Sequence, residues 1–175
     1  MEAMNEKAKS IRLLILDVDG VMTTGAIYYC SNGTEFKGFH IHDGIGIKLL
    51  QKAGIEVAII TAKQSEAVVR RAADLDIKYV YLGYSDKLPA YEELKQKLKL
   101  SDHDIAYMGD DLPDLPILRR VNFAITVPNA PAIVQQHVDL ITKNKPGKGA
   151  VREACEFILE AQNKLQSVIQ SYLTK

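Results

Sequence analysis

The sequence predicts an α/β protein built on a three-layer, doubly wound and mostly parallel sheet. Short apolar runs rich in β-forming residues alternate along the chain with amphipathic segments. Strands separated by helices form right-handed βαβ units, and such units generate a mostly parallel sheet covered by helices. No repeat, low-complexity tract or linker divides the sequence, so we expect one domain over residues 1–175.

Each predicted element has a local signal. The strands are short, mainly apolar runs: 12–16, 56–61, 79–82, 105–108, 122–126 and 138–141. The helices are predicted from apolar residues at helical spacing or from a proline near the start. They are 45–53, 65–74, 88–98, 115–120, a brief helix from Pro131, and one long C-terminal helix over 149–170. Gly54 stands where the first of these helices needs a C-cap, and Pro113 precedes the helix at 115–120.

One segment interrupts this alternation. Residues 25–40 contain two β-prone runs, 26–29 and 34–39, on either side of Ser31-Asn32-Gly33. Asn-Gly between such runs predicts a β-hairpin with a primed turn. The hairpin directly follows the first strand, so we expect it to form a flap over the carboxyl edge of the sheet, where open α/β sheets bind ligands. Residues 1–10 are charged and are expected to be a loose N-terminal segment.

Composition excludes several classes of function. The chain has 22 Lys plus Arg and 22 Asp plus Glu, so its formal net charge is zero. A neutral chain has no long-range field for nucleic acid or an anionic membrane, and we expect neither as a partner. The two cysteines, Cys30 and Cys155, form neither a disulfide framework nor a metal-binding spacing. With no signal-peptide pattern and no long apolar run, the sequence predicts a cytoplasmic protein.

Polar side chains end or follow four of the predicted strands. They are Asp17 and Asp19 at the first strand, Thr61 at the second, Lys87 after the third, and Asp110, Asp111 and Asp114 after the fourth. In a parallel sheet these groups meet at one edge, where crowded carboxylates need a cation. Oxygen ligands without His or Cys favour Mg²⁺. A hydroxyl, a lysine and helix-start amides would hold a phosphoryl group, so the pattern predicts phosphoryl transfer through an aspartyl-phosphate.

The motifs at these strand ends resemble those of a known superfamily. Asp17-Val18-Asp19-Gly20-Val21, Ile60-Thr61, Ser85-Asp86-Lys87 and the run 109–114 (GDDLPD) are similar to the four motifs of the haloacid dehalogenase (HAD) superfamily of phosphatases. Further segments resemble its 3-deoxy-D-manno-octulosonate 8-phosphate phosphatase family, over about residues 11–165: Phe39, Asp43-Gly44, Gly46-Ile47, 54–61 and 149–153. The resemblance implies a capless HAD-like Rossmannoid fold, with the hairpin flap and no cap domain.

The resemblance also implies roles for individual residues. Asp17 would be the nucleophile, and Asp19 would protonate the leaving oxygen and then activate water. Thr61 and Lys87 would hold the phosphoryl oxygens, with Asp114 orienting Lys87. Mg²⁺ would be bound by Asp17, the Asp19 carbonyl and Asp110, with Asp111 nearby or acting through water. The implied protein is a phosphoric monoester hydrolase of lipopolysaccharide biosynthesis and a homotetramer, in which Lys148 or Arg152 contributes to the site of an adjoining subunit.

The sequence departs from the family pattern at positions that would recognise the sugar. Ala62-Lys63 replaces the usual Gly-Arg, His42 replaces an Arg or Gln, Lys148 replaces an Arg, and Thr24 replaces a common Asp. Lys63, His42 and Lys148 are therefore predicted substrate-binding residues, although lysine lacks the fork with which arginine binds a carboxylate. His40 and His42 would share one face if they lay in a strand. They would then form a wall that contacts the substrate or a neighbouring subunit.

Three alternatives stay open. The same chemistry could act on another sugar phosphate, such as a nine-carbon keto-deoxy sugar phosphate. A receiver-like signalling module also combines acidic residues, Thr, Lys and Mg²⁺. In such modules, however, the phosphate-accepting Asp follows the third strand, whereas here Asp17 and Asp19 both follow the first. A catalytically silent scaffold is the third alternative, and both non-enzyme alternatives predict no multiple-turnover release of phosphate.

Overall fold

Six parallel strands form the central sheet of the computed structural model, which describes residues 2–174. In chain order the strands of the protein are β1 (Leu13–Leu16), β2 (Tyr28–Tyr29), β3 (Glu35–Phe36), β4 (Glu56–Thr61), β5 (Tyr79–Leu82), β6 (Ile105–Met108), β7 (Phe123–Thr126) and β8 (Leu140–Ile141). The sheet has the order β5-β4-β1-β6-β7-β8, and β2 pairs with β3 in a separate antiparallel hairpin. The predicted α/β class and mostly parallel sheet are confirmed.

The helices lie on both faces of the sheet. They are α1 (Glu2–Lys9), α2 (Ile41–Lys52), α3 (Glu66–Asp74), α4 (Leu88–Leu98), α5 (Leu115–Leu118), α6 (Ala132–Gln135), α7 (Ala150–Ala161) and α8 (Leu165–Leu173). Right-handed crossovers place α2 and α3 on one face and α4, α5 and α6 on the other. Helices α1, α2 and α8 pack on α7. No helix within residues 2–174 is both long enough and apolar enough to cross a membrane.

The middle of the sheet is buried on both faces. All four residues of β1, β6 and β7 are buried, which explains why their sequences are nearly continuous apolar runs. From β1 the chain moves outward through β4 and β5, then returns to β6 on the other side of β1. The strand order therefore reverses between β1 and β6, and ligands of open α/β sheets bind at the carboxyl side of this switch point.

The N-terminal segment is helical, whereas the sequence predicted a loose segment over 1–10. Helix α1 buries Ala8 and packs Met4 against the core. The side-chain amide of Gln162 donates hydrogen bonds to the carbonyl oxygens of Ala8 (3.1 Å) and Ile11 (2.8 Å). These contacts come from the far end of the sequence, so the local pattern did not reveal them.

The predicted long helix over 149–170 is two helices. Helix α7 ends at Ala161, and Asn163 adopts a left-handed conformation with φ 56° before α8 begins at Leu165. Asparagine tolerates this conformation better than most residues and commonly ends helices. The break lets Leu165 and Val168 of α8 fold back onto the core.

Helix α2 begins at Ile41, four residues before the predicted start. The Oδ1 atom of Asp43, in the first turn, accepts a hydrogen bond from the Arg152 backbone N–H (2.9 Å), which joins the starts of α2 and α7. A Cβ at Gly46 would lie 2.9 Å from the Cα of Arg152, so this glycine permits the close approach of the two helices. His42 consequently lies in a helix, not in the strand that was assumed for the histidine pair.

The hairpin at 25–40 is present but smaller than predicted. Each strand has two residues, and the rings of Tyr28 and Phe36 stack with their centroids 5.0 Å apart. The Gly33 N–H donates to the Cys30 carbonyl, and Gly33 has φ 82°. Asn32 is not among the residues with positive φ in the described chain, so the turn is not the primed type that Asn-Gly predicted.

Candidate active site

A cavity of about 210 Å³ opens at the carboxyl ends of β1, β4 and β6. It is lined by Asp17, Asp19, Thr61, Ala62, Lys63, Lys87, Asp110, Asp111, Pro113 and Asp114. The parallel strands bring these residues together, because all of their carboxyl ends lie at the same edge. The cavity thus contains every polar residue that the strand-end pattern singled out.

Lys87 is the positive centre of this cavity. Its ammonium lies 2.7 Å from Asp17 Oδ1 and 2.7 Å from Asp114 Oδ1, and all three side chains are buried. Burial alone would lower the pKa of Lys87, but the two carboxylates outweigh burial and the pKa is raised. The lysine therefore stays charged and can hold an anion at this edge of the sheet.

Tyr107 is a member of this cluster that the sequence analysis missed. Its hydroxyl donates to Asp114 Oδ1 (2.6 Å) and accepts a hydrogen bond from the Lys87 ammonium (3.3 Å). Burial, together with the charge of Asp114, raises the pKa of Tyr107 well above its ordinary value, so the hydroxyl keeps its proton. A tyrosine inside a strand of otherwise apolar residues was the available signal, since a buried hydroxyl needs a polar partner.

Asp114 uses both of its carboxylate oxygens within the site. While Oδ1 accepts from Lys87 and Tyr107, Oδ2 accepts from the backbone N–H groups of Asp110 (2.9 Å) and Asp111 (3.1 Å). Asp111 in turn accepts a hydrogen bond from the Leu112 N–H (2.8 Å) and caps a short 3₁₀ turn. These bonds fix the loop that carries Asp110.

Two carboxylates remain for a cation. One oxygen each of Asp17, Asp110 and Asp114 lie within 4.8 Å of one another, and the Asp114 oxygens are already bonded. Burial raises the pKa of Asp17 to about 6, although Lys87 opposes this rise. Burial and the charge of Asp17 raise the pKa of Asp110 to about 7. Both carboxylates are therefore disfavoured in the ionised form while no cation is bound, and an all-oxygen donor set suits a hard cation such as Mg²⁺.

Gly20 makes room for Asp110. Its φ is +84°, and a Cβ built on it would lie 2.0 Å from Asp110 Oδ2. Only glycine meets both conditions at low cost, because the left-handed conformation disfavours a side chain and the carboxylate occupies the space of one. The backbone after β1 therefore positions the second carboxylate of the candidate metal site.

Asp19 lies on the flap side of the cavity. Its Oδ1 is 2.5 Å from the ammonium of Lys37, a hairpin residue that the sequence analysis did not single out. The same ammonium lies 2.8 Å from Glu35 Oε1, and Lys63 lies 3.8 Å from Glu35 Oε2. No sequence motif marks Lys37, because it reaches Asp19 only through the fold of the hairpin.

Three predicted substrate-binding residues do not line the cavity of this chain. His42 is exposed at the start of α2, and its ring meets that of His40 edge to face. Lys148 is exposed, and Arg152 forms an ion pair with Glu156 (2.6 Å). Within one chain, only Lys63 of the predicted sugar-reading residues reaches the cavity.

Comparison with known proteins places the chain in a family. The family model for haloacid dehalogenase-like hydrolases matches residues 83–154. The sequence is 45% identical over 159 residues to the 3-deoxy-D-manno-octulosonate 8-phosphate phosphatase KdsC of Escherichia coli K12, covering 91% of this chain and 85% of that protein. It is 44% identical to the enzyme of the same name from Yersinia pestis, covering 92% and 86%.

Solved structures agree with the sequence comparison. The Moraxella catarrhalis 3-deoxy-D-manno-octulosonate 8-phosphate phosphatase, solved with magnesium, phosphate and KDO, matches with a TM-score of 0.96 and 44% identity over 98% of this chain and 99% of that one. A cobalt-bound deoxy-D-mannose-octulosonate 8-phosphate phosphatase from Haemophilus influenzae matches with a TM-score of 0.91 and 39% identity, over 96% and 99%. The chain thus belongs to the 3-deoxy-D-manno-octulosonate 8-phosphate phosphatase family of the haloacid dehalogenase-like hydrolases.

Proposed function

We propose that this protein is a Mg²⁺-dependent phosphatase that hydrolyses 3-deoxy-D-manno-octulosonate 8-phosphate to 3-deoxy-D-manno-octulosonate and phosphate. The observation that carries the proposal is the buried contact between Asp17 and Lys87 at the switch point, 2.7 Å between Oδ1 and Nζ. This contact supports the proposal because the proposed nucleophile, Asp17, lies beside a cation that could bind phosphoryl oxygens. The proposed substrate is the one in the names of the relatives described above, and the Moraxella structure contains magnesium, phosphate and KDO as ligands.

Two proton transfers by Asp19 would accompany two phosphoryl transfers. In the first, an Asp17 oxygen forms a bond to phosphorus while the bond from phosphorus to the sugar oxygen breaks, and protonated Asp19 gives its proton to that oxygen. In the second, ionised Asp19 takes a proton from water as the water oxygen bonds to phosphorus and the Asp17–phosphorus bond breaks. The sum is ester plus water giving alcohol plus phosphate, and both carboxyl groups return to their starting states.

The phosphoryl group would be held by Thr61 and Lys87. Thr61 ends β4 and lines the cavity, and the Lys87 ammonium has fixed neighbours in Asp114 and Tyr107. Preorganised donors stabilise the charge that develops on the phosphoryl oxygens without reorganising during the reaction. Asp114 would act as the residue that orients Lys87.

Asp17 and Asp110 would hold Mg²⁺, with the Asp19 carbonyl and Asp111 completing the protein ligands. When bound, the ion supplies charge neutralisation for the phosphoryl group and the crowded carboxylates. The raised pKa values of Asp17 and Asp110 support this assignment, because a cation at this point compensates the negative charge that burial penalises.

Lys63 is the proposed contact for the acid group of the sugar. It lines the cavity, its side chain is 43% exposed, and its ion pair within residues 2–174 is a long contact to Glu35. A lysine gives a point charge where the family pattern has an arginine fork, so substrate selection can differ. A nine-carbon keto-deoxy sugar phosphate is therefore the second substrate that we propose to test.

We also propose that the protein is a cytoplasmic homotetramer of one domain per chain and supplies a lipopolysaccharide sugar. The hairpin side exposes several large apolar residues: Ile27, Tyr28, Tyr29, Phe36 and Ile41. Exposed apolar side chains gathered in one segment favour contact with other protein, and packing of hairpins would cover them. His42, Lys148 and Arg152 could then reach an adjoining site, so a stable monomer with full activity would contradict this assembly.

The proposed function is tested by steady-state release of phosphate. The substrates are the octulosonate 8-phosphate, its nine-carbon homologue and common hexose and pentose phosphates, with Mg²⁺ or with a chelator. We expect the highest kcat/KM for the octulosonate ester and no turnover after chelation. Magnesium-dependent turnover that favours another ester would move the substrate assignment, whereas a single stoichiometric phosphorylation without turnover would favour the signalling module.

A further inference from the structure

The side chain of Lys37 is nearly covered although the residue belongs to an exposed hairpin. Its side chain is only 5% exposed, whereas the neighbouring Phe36 is about half exposed. The ammonium contacts Asp19 Oδ1 at 2.5 Å and Glu35 Oε1 at 2.8 Å. A lysine is seldom buried unless it is paired, so the two carboxylates account for its position.

The contact orients one particular carboxylate. Asp19 has Lys37 as its ion-pair partner within residues 2–174, and its side chain is 29% exposed. A partly exposed aspartate without such a partner can rotate among its staggered conformers. The short contact at Oδ1 selects one orientation of the Asp19 carboxylate, a residue that lines the cavity.

The same contact anchors the hairpin. A hairpin whose strands have two residues each is marginally stable by itself. Lys37 joins it to the loop after β1 through Asp19, and Glu35 joins it to the loop after β4 through Lys63 at 3.8 Å. The hairpin and the orientation of Asp19 are therefore fixed by one shared ammonium group.

We propose that Lys37 is a positioning residue that holds the Asp19 carboxylate in the orientation required for its two proton transfers. The proposal rests on the proposed function, because it assumes that Asp19 serves both half-reactions. The Lys37 ammonium is already shared between two carboxylates. This distinguishes Lys37 from Lys63, the more exposed lysine that is proposed to contact the substrate.

The test compares Lys37→Met with Lys48→Met in the full-length protein. Lys48 also forms an ion pair, with Asp76, but it lies beside residues 54–56, where β4 begins, and it does not line the cavity. Two reactions are measured: steady-state turnover of the octulosonate ester, and single-turnover release of p-nitrophenolate from p-nitrophenyl phosphate with enzyme in excess. The second reaction reports the first phosphoryl transfer with a leaving group that needs no protonation.

We expect Lys37→Met to lower kcat for the octulosonate ester about tenfold or more, part of the roughly 10²- to 10⁴-fold that a positioned acid–base group contributes. Its KM and its single-turnover release of p-nitrophenolate should stay within about twofold of the wild-type values, as should all values for Lys48→Met. Melting temperatures are compared for both variants. If Lys37→Met is poorly folded, Lys37→Gln, which keeps a polar end without the charge, should give the same kinetic pattern.

Other results would overturn the proposal. A raised KM with unchanged kcat would make Lys37 a substrate-binding residue. An equal loss in release of p-nitrophenolate would indicate a general disturbance of the pocket, and wild-type values in Lys37→Met would exclude any role. Failure of the wild-type protein to turn over any ester would instead refute the proposed function, so the two failures are distinguishable.

Discussion

Replacing Tyr107 by phenylalanine removes one buried hydroxyl and leaves the shape of the side chain almost unchanged. The hydroxyl donates to the charged Asp114 at 2.6 Å and accepts from Lys87 at 3.3 Å. A hydrogen bond to a charged group contributes about 1.5–3 kcal/mol, and no water can easily replace a donor to the buried Asp114. We therefore expect Tyr107→Phe to lower the free energy of unfolding by about 2 kcal/mol, which is about 4–8 °C in melting temperature for a chain of this size.

The expected effect on catalysis is smaller. Lys87 keeps its 2.7 Å contacts to Asp17 and Asp114 when the hydroxyl is absent. We expect kcat to fall about threefold to tenfold, corresponding to about 0.7–1.4 kcal/mol at the barrier. The assays are thermal unfolding followed by circular dichroism and steady-state release of phosphate.

Tyr91→Phe is the matched control. The Tyr91 hydroxyl also donates to a carboxylate at 2.6 Å, but that of Asp102, whose side chain is 42% exposed. Water can replace the lost donor there, so the stability loss should be about 1 kcal/mol or less and kcat should not change. If both variants melt at the same temperature with unchanged kcat, the reasoning that ties Tyr107 to the charged cluster is wrong.

Three further predictions concern the carboxylates and their surroundings. Asp17→Asn should abolish phosphate release while the folded circular dichroism spectrum is retained, and Asp19→Asn should slow both half-reactions; wild-type rates in either variant would contradict the assigned roles. With a chelator present, the melting temperature should rise as the pH falls from about 7.5 to about 5. The reason is that Asp17 and Asp110 have pKa values of about 6 and about 7 in the folded state, against 3.8 when unfolded. The folded state therefore binds protons more tightly and is stabilised by acidification over this range. Mg²⁺ should reduce this gain, and a melting temperature that falls on acidification without metal would refute the sign. Gly20→Ala should raise the Mg²⁺ concentration needed for half-maximal activity, because a Cβ at this position would collide with Asp110. Gly33→Ala is the control: its φ of 82° is close to the 84° of Gly20, but nothing lies within 4 Å of an added Cβ. It should therefore lose stability through backbone strain without changing the Mg²⁺ requirement.

The sheet and the strand-end residues could be predicted because both depend on local sequence. An apolar run such as that of β1 identifies a buried strand, and polar residues directly after parallel strands must share one edge. The order of the motifs then brings Asp17 and Asp110 together, since β1 and β6 are neighbours. These inferences needed no side-chain geometry.

The features that the sequence did not reveal depend on contacts between distant residues. Lys37 reaches Asp19 across the hairpin, and Gln162 ties α1 to the core from more than 150 positions away. Tyr107 looked like an ordinary core residue because its partner Asp114 lies in the following loop. The predicted substrate-binding residues outside the cavity, such as Lys148, would act only through the proposed contact with neighbouring chains, so their roles stay predictions.

Asp114 also joins two loops that follow different strands of the sheet. One of its oxygens binds Lys87, which follows β5, and the other binds the amides of Asp110 and Asp111, which follow β6. The separation between the Lys87 ammonium and the loop that carries Asp110 is thereby limited by the size of a single carboxylate group. Strands β5 and β6 are not neighbours in the sheet, because β4 and β1 lie between them. Asp114 therefore links two loops that no strand pairing joins directly, and it connects the side chain proposed to bind phosphate with the loop proposed to bind Mg²⁺.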